Sequence, residues 1–163
     1  IAFYDTIIRK VEWHILKTAK AHDPMALQLL RTIPGIGKIL SLVILYEIQD
    51  IRRFPTQQKF CSYARLIRPV KESAGKRVGV GNGKQGNAYL KWAFAEAVVL
   101  FLRETREMTP YIQRSERKYG KAKAKGILAH RLGRTVYYML KHRQVFDLKK
   151  FANQERKKTG DRS

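Results

Sequence analysis

Apolar side chains at Ile1, Tyr4, Ile8, Val11 and Ile15 recur at alternating spacings of three and four residues. That seam predicts a helix over residues 1–20 that packs along another helix, the end of a coiled-coil arm. Asp23 and Pro24 then form an N-cap and first-turn pair opening a second helix that carries Met25, Leu29 and Leu30. A strongly apolar run, Ile39, Leu40, Leu42, Val43, Ile44, Leu45 and Ile48, predicts a third. Asp50 to Pro55 reads as a polar connection holding Arg52 and Arg53, after which Thr56 caps a short helix through Phe60, Tyr63 and Leu66 that Arg68-Pro69 closes. Asn87 to Glu107 reads as the longest helix and, because only Glu96 is charged between Trp92 and Leu102, as the buried hub. Thr109-Pro110 caps a further helix and Gly120 stops it. Ile127, Leu128, Leu132, Val136, Tyr137 and Leu140 then form an apolar stripe, while residues 152–163 lose the pattern and read as a disordered basic tail. The sum is a mainly α fold, a compact helical domain over residues 21–151 behind the arm.

The interruptions between these helices hold the candidate chemistry. From Lys71 to Asn87 the chain has glycines at 75, 79, 81, 83 and 86, the cations Lys71, Lys76, Arg77 and Lys84, and Ser73 as its one hydroxyl. Glycines let backbone N–H groups turn toward a phosphate, and the cations supply the matching charge. If this basic Gly-rich loop does covalent chemistry on a phosphate, Ser73 is the group available. Val78 and Val80, alternating with Arg77 and Gly79, would suit a small β-hairpin. Two nucleotide motifs fail here. Gly81-Asn82-Gly83-Lys84-Gln85-Gly86 fits G-x-G-x-x-G without the alternating strands and helices of a dinucleotide fold, and Gln85 stands where a P-loop needs Ser or Thr for magnesium. Upstream, Thr32 to Lys38 between two helices resembles a helix-hairpin-helix over residues 25–48, in which Gly35 and Gly37 let amides approach a DNA phosphate and Lys38 adds charge. An ordinary helical hairpin is the alternative.

Charge points the same way. The formal net charge is +21, from 34 Lys and Arg against 13 Asp and Glu, so a polyanion is the expected partner. Residues 113–143 hold ten of the cations and one acid, Glu116. That is a cationic face over the apolar stripe, with Arg131 and Arg134 on it and Lys91 one turn into the preceding hub helix. No apolar run nears the roughly 20 residues of a bilayer span, so no membrane partner is expected. Cys61, the one cysteine, suits a small core residue in a reduced, cytosolic protein, and His14, His22, His130 and His142 are too scattered for zinc. The chain starts without methionine and already in helical register, which reads as a piece of a longer protein.

Taken together the residues resemble the C-terminal transposase domain of the insertion-sequence one-ten and eleven-eleven (DEDD) transposases, a group that includes DNA invertases and bridge-RNA-guided recombinases. The resemblance runs from Ile33-Pro-Gly-Ile-Gly37 through Arg53-Phe-Pro55, Cys61-Ser-Tyr-Ala-Arg65 and Lys71-Glu-Ser-Ala-Gly-Lys76 to Gly86-Asn-Ala-Tyr-Leu-Lys-Trp-Ala93. It continues in Ile127-Leu-Ala-His-Arg131 and Tyr137-Tyr-Met-Leu140, so it covers about residues 20–151. It implies a partner domain of RuvC type, expected outside this chain, in which four acids hold magnesium; no cofactor is expected on this part. It also implies that Ser73 is the nucleophile on a DNA phosphodiester, with Ala74 replacing one of the usual glycines. Lys76, Arg77 and Lys84 would then hold the scissile phosphate. DNA, a guide RNA and further copies of the protein are the partners it implies, in a bacterial or archaeal cytoplasm at the nucleoid, and the chain alone is expected to be inactive. Two other readings stay open: a non-catalytic nucleic-acid-binding and oligomerisation module, and a structural helix-hairpin-helix domain of a repair protein.

Overall fold

The computed structural model describes residues 2–67, 70–73, 76–80 and 85–153, with the backbone alone for residues 20, 21, 70–73 and 76–80. Eight α-helices and one two-stranded hairpin make up the described residues. The chain runs α1 (Ala2–His22), α2 (Pro24–Arg31), α3 (Lys38–Ile48), a 3-10 turn (Ile51–Arg53), α4 (Gln57–Tyr63), β1 (Val70–Ser73) and β2 (Lys76–Val80). It continues with α5 (Ala88–Glu104), a second 3-10 turn (Arg106–Met108), α6 (Thr109–Tyr119), α7 (Lys121–His142) and α8 (Leu148–Asn153). The mainly α fold expected from periodicity is the one observed, and the short hairpin lies where Val78 and Val80 suggested it.

α5 forms because Leu90, Ala93, Phe94, Ala97, Val98 and Phe101 fall on one helical face, and all six are buried. Asn87 starts it, its side-chain oxygen accepting the Leu90 N–H at 2.9 Å. Burying a side chain such as Leu90, Phe94 or Phe101 contributes roughly 1.5–3 kcal/mol each. α5 packs on α3 and α7. It is not the longest helix, however: it has 17 residues and ends at Glu104, whereas α7 has 22 and α1 has 21. The hub role is shared, because α7 packs on α2, α4, α5, α6 and the first 3-10 turn. Its stripe of Leu128, Leu132, Val136, Tyr137 and Leu140 is buried. The Tyr137 ring stacks on Phe60 and its hydroxyl donates to the Phe54 and Pro55 carbonyls at 3.1 and 3.2 Å.

Asp23 caps α2 by accepting the Ala26 N–H at 2.9 Å, and the same oxygen accepts from Arg143 Nη1 at 2.9 Å beyond the end of α7. Partial burial works against the Asp23 carboxylate, but the Arg143 hydrogen bond and the Ala26 N–H outweigh it and lower its pKa. Thr56 caps α4 through the Lys59 N–H at 3.2 Å. Thr109 does not cap α6. The 3-10 turn before it runs straight into the helix, so Thr109 already has helical angles (φ −57°, ψ −47°) and Met108 is the boundary residue, with no side-chain bond. The Asp50–Pro55 connection is not wholly polar either, since Ile51 and Phe54 are buried. α8 extends to Asn153, two residues into the stretch read as a tail; residues 154–163 lie outside the described residues. On the seam expected in the arm, Tyr4, Ile8, Val11 and Ile15 are exposed; the α1 residues that pack on the core are Leu16 and Ala19. Ile1 lies outside the described residues.

Candidate nucleic-acid interface

The described residues on either side of the hairpin are held by the helices. α4 ends at Tyr63, and its next residues turn back through Arg65 N–H to Ser62 O at 3.0 Å and Leu66 N–H to Cys61 O at 2.9 Å. The stretch before α5 lies beside that turn, where the Asn87 N–H donates to Tyr63 O at 2.6 Å. Gly86 has φ +104°, and a Cβ there would lie 2.5 Å from the same Tyr63 carbonyl, so only glycine fits. Asn87 Nδ2 donates to Glu47 Oε2 and, at 3.3 Å, to the Tyr63 hydroxyl. Leu66 is seated against Gly133 of α7, where a Cβ would meet its Cδ1 at 2.3 Å. The residues that flank the hairpin in the chain, Leu66 before it and Gly86-Asn87 after it, are therefore tied to α4, α5 and α7.

Within the hairpin, β1 and β2 are antiparallel, with Val70 opposite Val80, Lys71 opposite Gly79, Glu72 opposite Arg77 and Ser73 opposite Lys76. An irregularity between Lys71 and Glu72 breaks the regular register. Ser73 is thus at the end of a strand, in register with Lys76 and one position from the Glu72–Arg77 pair. Lys84 lies outside the described residues. Lys91 is exposed one helical turn beyond Asn87.

Two arginines before α4 differ sharply. Arg52 is neutralised by Asp50, with Nη2 2.6 Å from Oδ2, and that hydrogen bond with the Arg52 N–H holds the Asp50 pKa at about 2. Arg53 instead lays its guanidinium over Phe54 and Tyr63, 4.8 Å from each ring, beside the base of the hairpin. Sequence reading placed both in one polar connection; the adjacent Phe54-Pro55 is the signal that separates them.

The second cationic element is the α6–α7 corner. Gly120 ends α6 at φ +82°, and Arg117, Lys118, Lys121, Lys123 and Lys125 around it are all exposed. Lys118 and Lys123 stand over the Tyr119 ring, at 5.2 and 5.3 Å. α7 has no side-chain cap and no acid in its first turn, so three ammonium groups crowd the positive pole of a helix. That arrangement costs stability in isolation and favours a bound anion. An open cleft runs from this corner to Leu66, which precedes the hairpin in the chain, and is lined also by Lys123, Gly126, Ile127 and His130.

Of the other residues expected at an interface, Gly35, Lys38 and Arg131 have partners within the fold, whereas Gly37 is exposed. Gly35 is buried, with φ +82°; its N–H donates to Glu104 Oε2 at 2.7 Å, and a Cβ on it would lie 2.4 Å from the Phe101 nitrogen. Gly37 is extended and precedes α3, with open space where a Cβ would be. Lys38 pairs with Glu12 at 3.5 Å. Arg131 donates to the Phe151 carbonyl and lies 4.4 Å over the Phe151 ring, joining α8 to α7. Arg134 is partly buried near Cys61. Burial pushes the Cys61 thiol up to about 11, against the pull of Arg134, so it stays protonated at neutral pH. Among the described residues no three His, Cys, Asp or Glu side chains gather to hold a metal, and no helix is long and apolar enough to cross a membrane.

The model of the Transposase IS116/IS110/IS902 family matches residues 27–113, just over half of the chain. The chain is also similar to the transposase for insertion sequence element IS1111A of Coxiella burnetii (strain RSA 493 / Nine Mile phase I), with 26% identity over 105 residues. That alignment takes in 64% of this chain and 28% of the relative's length.

Proposed function

The chain belongs to the Transposase IS116/IS110/IS902 family, and from that premise we propose that it is the part of an insertion-sequence transposase that grips DNA and carries Ser73 to the scissile phosphate. What supports this most is one juxtaposition. The hairpin has Ser73 in register with Lys76, the chain on either side of it is tied down at Leu66 and Asn87, and a cleft runs from Leu66 to Lys123 of the α6–α7 corner.

In this reading the corner and Lys91 hold the DNA backbone while Lys76, Arg77 and Lys84 neutralise the phosphate under attack. The Ser73 oxygen bonds to phosphorus, the bond to a deoxyribose oxygen breaks, and that oxygen takes up a proton as it leaves. The seryl phosphodiester conserves the bond energy, so the reverse attack by a DNA hydroxyl rejoins strands without a nucleotide cofactor. A seryl hydroxyl needs a base or metal to lose its proton. Glu72 is next to Ser73 in sequence, and the activating group is assigned instead to a magnesium-holding domain of the complete protein. Gly35 has a structural duty in this reading rather than a DNA contact, because its amide is taken by Glu104.

Ser73→Ala in the complete transposase, with labelled donor and target DNA and magnesium on a denaturing gel, tests the assignment. Loss of a protein–DNA adduct with DNA binding kept is expected. Unchanged strand cleavage by the alanine variant would leave a non-catalytic DNA-binding and oligomerisation module as the correct reading.

A further inference from the structure

A second cleft lies at the other end of α7, between that helix, the turn after it and α8. It encloses about 170 Å³ and is lined by Arg131, Arg134, Thr135, Tyr138, Lys150 and Asp147, among others. Three cations face one acid, and Asp147 is already engaged, capping α8 through the Lys150 N–H at 3.0 Å. Arg131 is engaged with Phe151. The Nε of Arg134 is shielded from solvent, and no described residue accepts from it. A shielded guanidinium N–H calls for an acceptor oxygen.

The wall of the cleft is aromatic. Tyr138 is 45% exposed, and its ring lies parallel to His142 one turn on, with 6.1 Å between centroids and 3° between planes. A cationic pocket beside an exposed flat ring is the pairing that receives an unpaired nucleotide, phosphate in the pocket and base on the ring. Position supports the same ligand. Lys123, in the cleft at the hairpin base, and Arg134 are eleven residues apart, close to three full turns, so they share one stripe of α7 about 16 Å apart.

We propose that the α7–α8 cleft binds an unpaired nucleotide of a strand that runs along α7 from the hairpin base, its phosphate held by Arg134 and Lys150 and its base stacked on Tyr138. This rests on the DNA-handling reading above. Lys150 and Tyr138 are exposed, so Lys150→Gln and Tyr138→Leu leave the fold intact.

Fluorescence anisotropy with a labelled single-stranded 12-mer and its duplex, over a range of salt, provides the test. Tyr138→Leu should weaken single-strand binding roughly five- to a hundredfold and duplex binding far less. Lys150→Gln should lower the single-strand salt slope by about 0.7. Equal losses on both nucleic acids, or wild-type single-strand affinity in both variants, would overturn the proposal. So would a shift of the Arg134 Nε–H resonance by inorganic phosphate with no variant effect on the oligonucleotide, which would mark an isolated anion pocket. A wild-type chain that binds neither nucleic acid would defeat the DNA-handling reading itself. Tight duplex binding by the wild-type chain, with single-strand affinity unchanged in both variants, would defeat this inference alone.

Discussion

Two helical corners of this chain turn on a glycine at φ +82°, and their surroundings are opposite. Gly35, between α2 and α3, is pressed against the α5 backbone and gives its amide to a carboxylate, with Glu12 next door on Lys38. Gly120, between α6 and α7, has nothing within 4 Å of where a Cβ would stand, and five exposed cations surround it. The glycine motif is richer at the first corner, and the exposed cations are at the second. A glycine turn thus reports a backbone need; whether that need is internal packing or ligand approach is decided by what faces it.

Substitutions should separate the two corners. The largest effect is expected from Gly35→Ala, which adds a Cβ both at a positive φ and into the Phe101 backbone; thermal unfolding should show a loss of roughly 3 kcal/mol or more. Next comes Lys121→Gln with Lys123→Gln and Lys125→Gln. The DNA-binding salt slope should fall by roughly 2 to 3, which is on the order of a hundredfold in affinity at physiological salt. In the same triple variant thermal stability should rise slightly, because like charge is removed from the positive end of α7. A drop in stability would mean that these lysines hold the fold rather than a ligand. Gly120→Ala carries the backbone strain without the clash, so a loss of about 1–3 kcal/mol is expected in the same melt, clearly below that of Gly35→Ala.

The smallest effect concerns Asp50. Its folded pKa is depressed from 3.8 to about 2 by the Arg52 hydrogen bonds, so its stabilising contribution is complete above about pH 4 and fades as pH falls toward 2. Asp50→Asn should lower the melting temperature slightly at pH 6, by an amount that shrinks through that window. A difference that grows on acidification would contradict the pairing.

Local signals in the sequence carried far. The caps at Asp23 and Thr56, the buried face of α5 and the strand alternation at Val78 and Val80 all depend on neighbours within a few residues. What stayed hidden was set by partners far along the chain. Gly35 meets Glu104 and Phe101, Tyr63 holds Asn87, and Arg131 is drawn from the cationic face onto Phe151. Thr109-Pro110 misled for a different reason: Thr-Pro suits a cap, but the preceding 3-10 turn had already set helical angles at Thr109. Within the candidate site, charge and hydroxyl were legible as residue types, while the anchoring of the chain on either side of the hairpin required Gly86 and Gly133 to be seen against Tyr63 and Leu66.

The most direct measurement is amide hydrogen exchange of the chain with and without duplex DNA. Slowed exchange at Gly120–Lys125 and across Val70–Val80, with residues 33–37 unchanged, is the expected result. Slowed exchange at residues 33–37 with the α6–α7 corner unaffected would contradict it and return the DNA grip to the Gly35 turn.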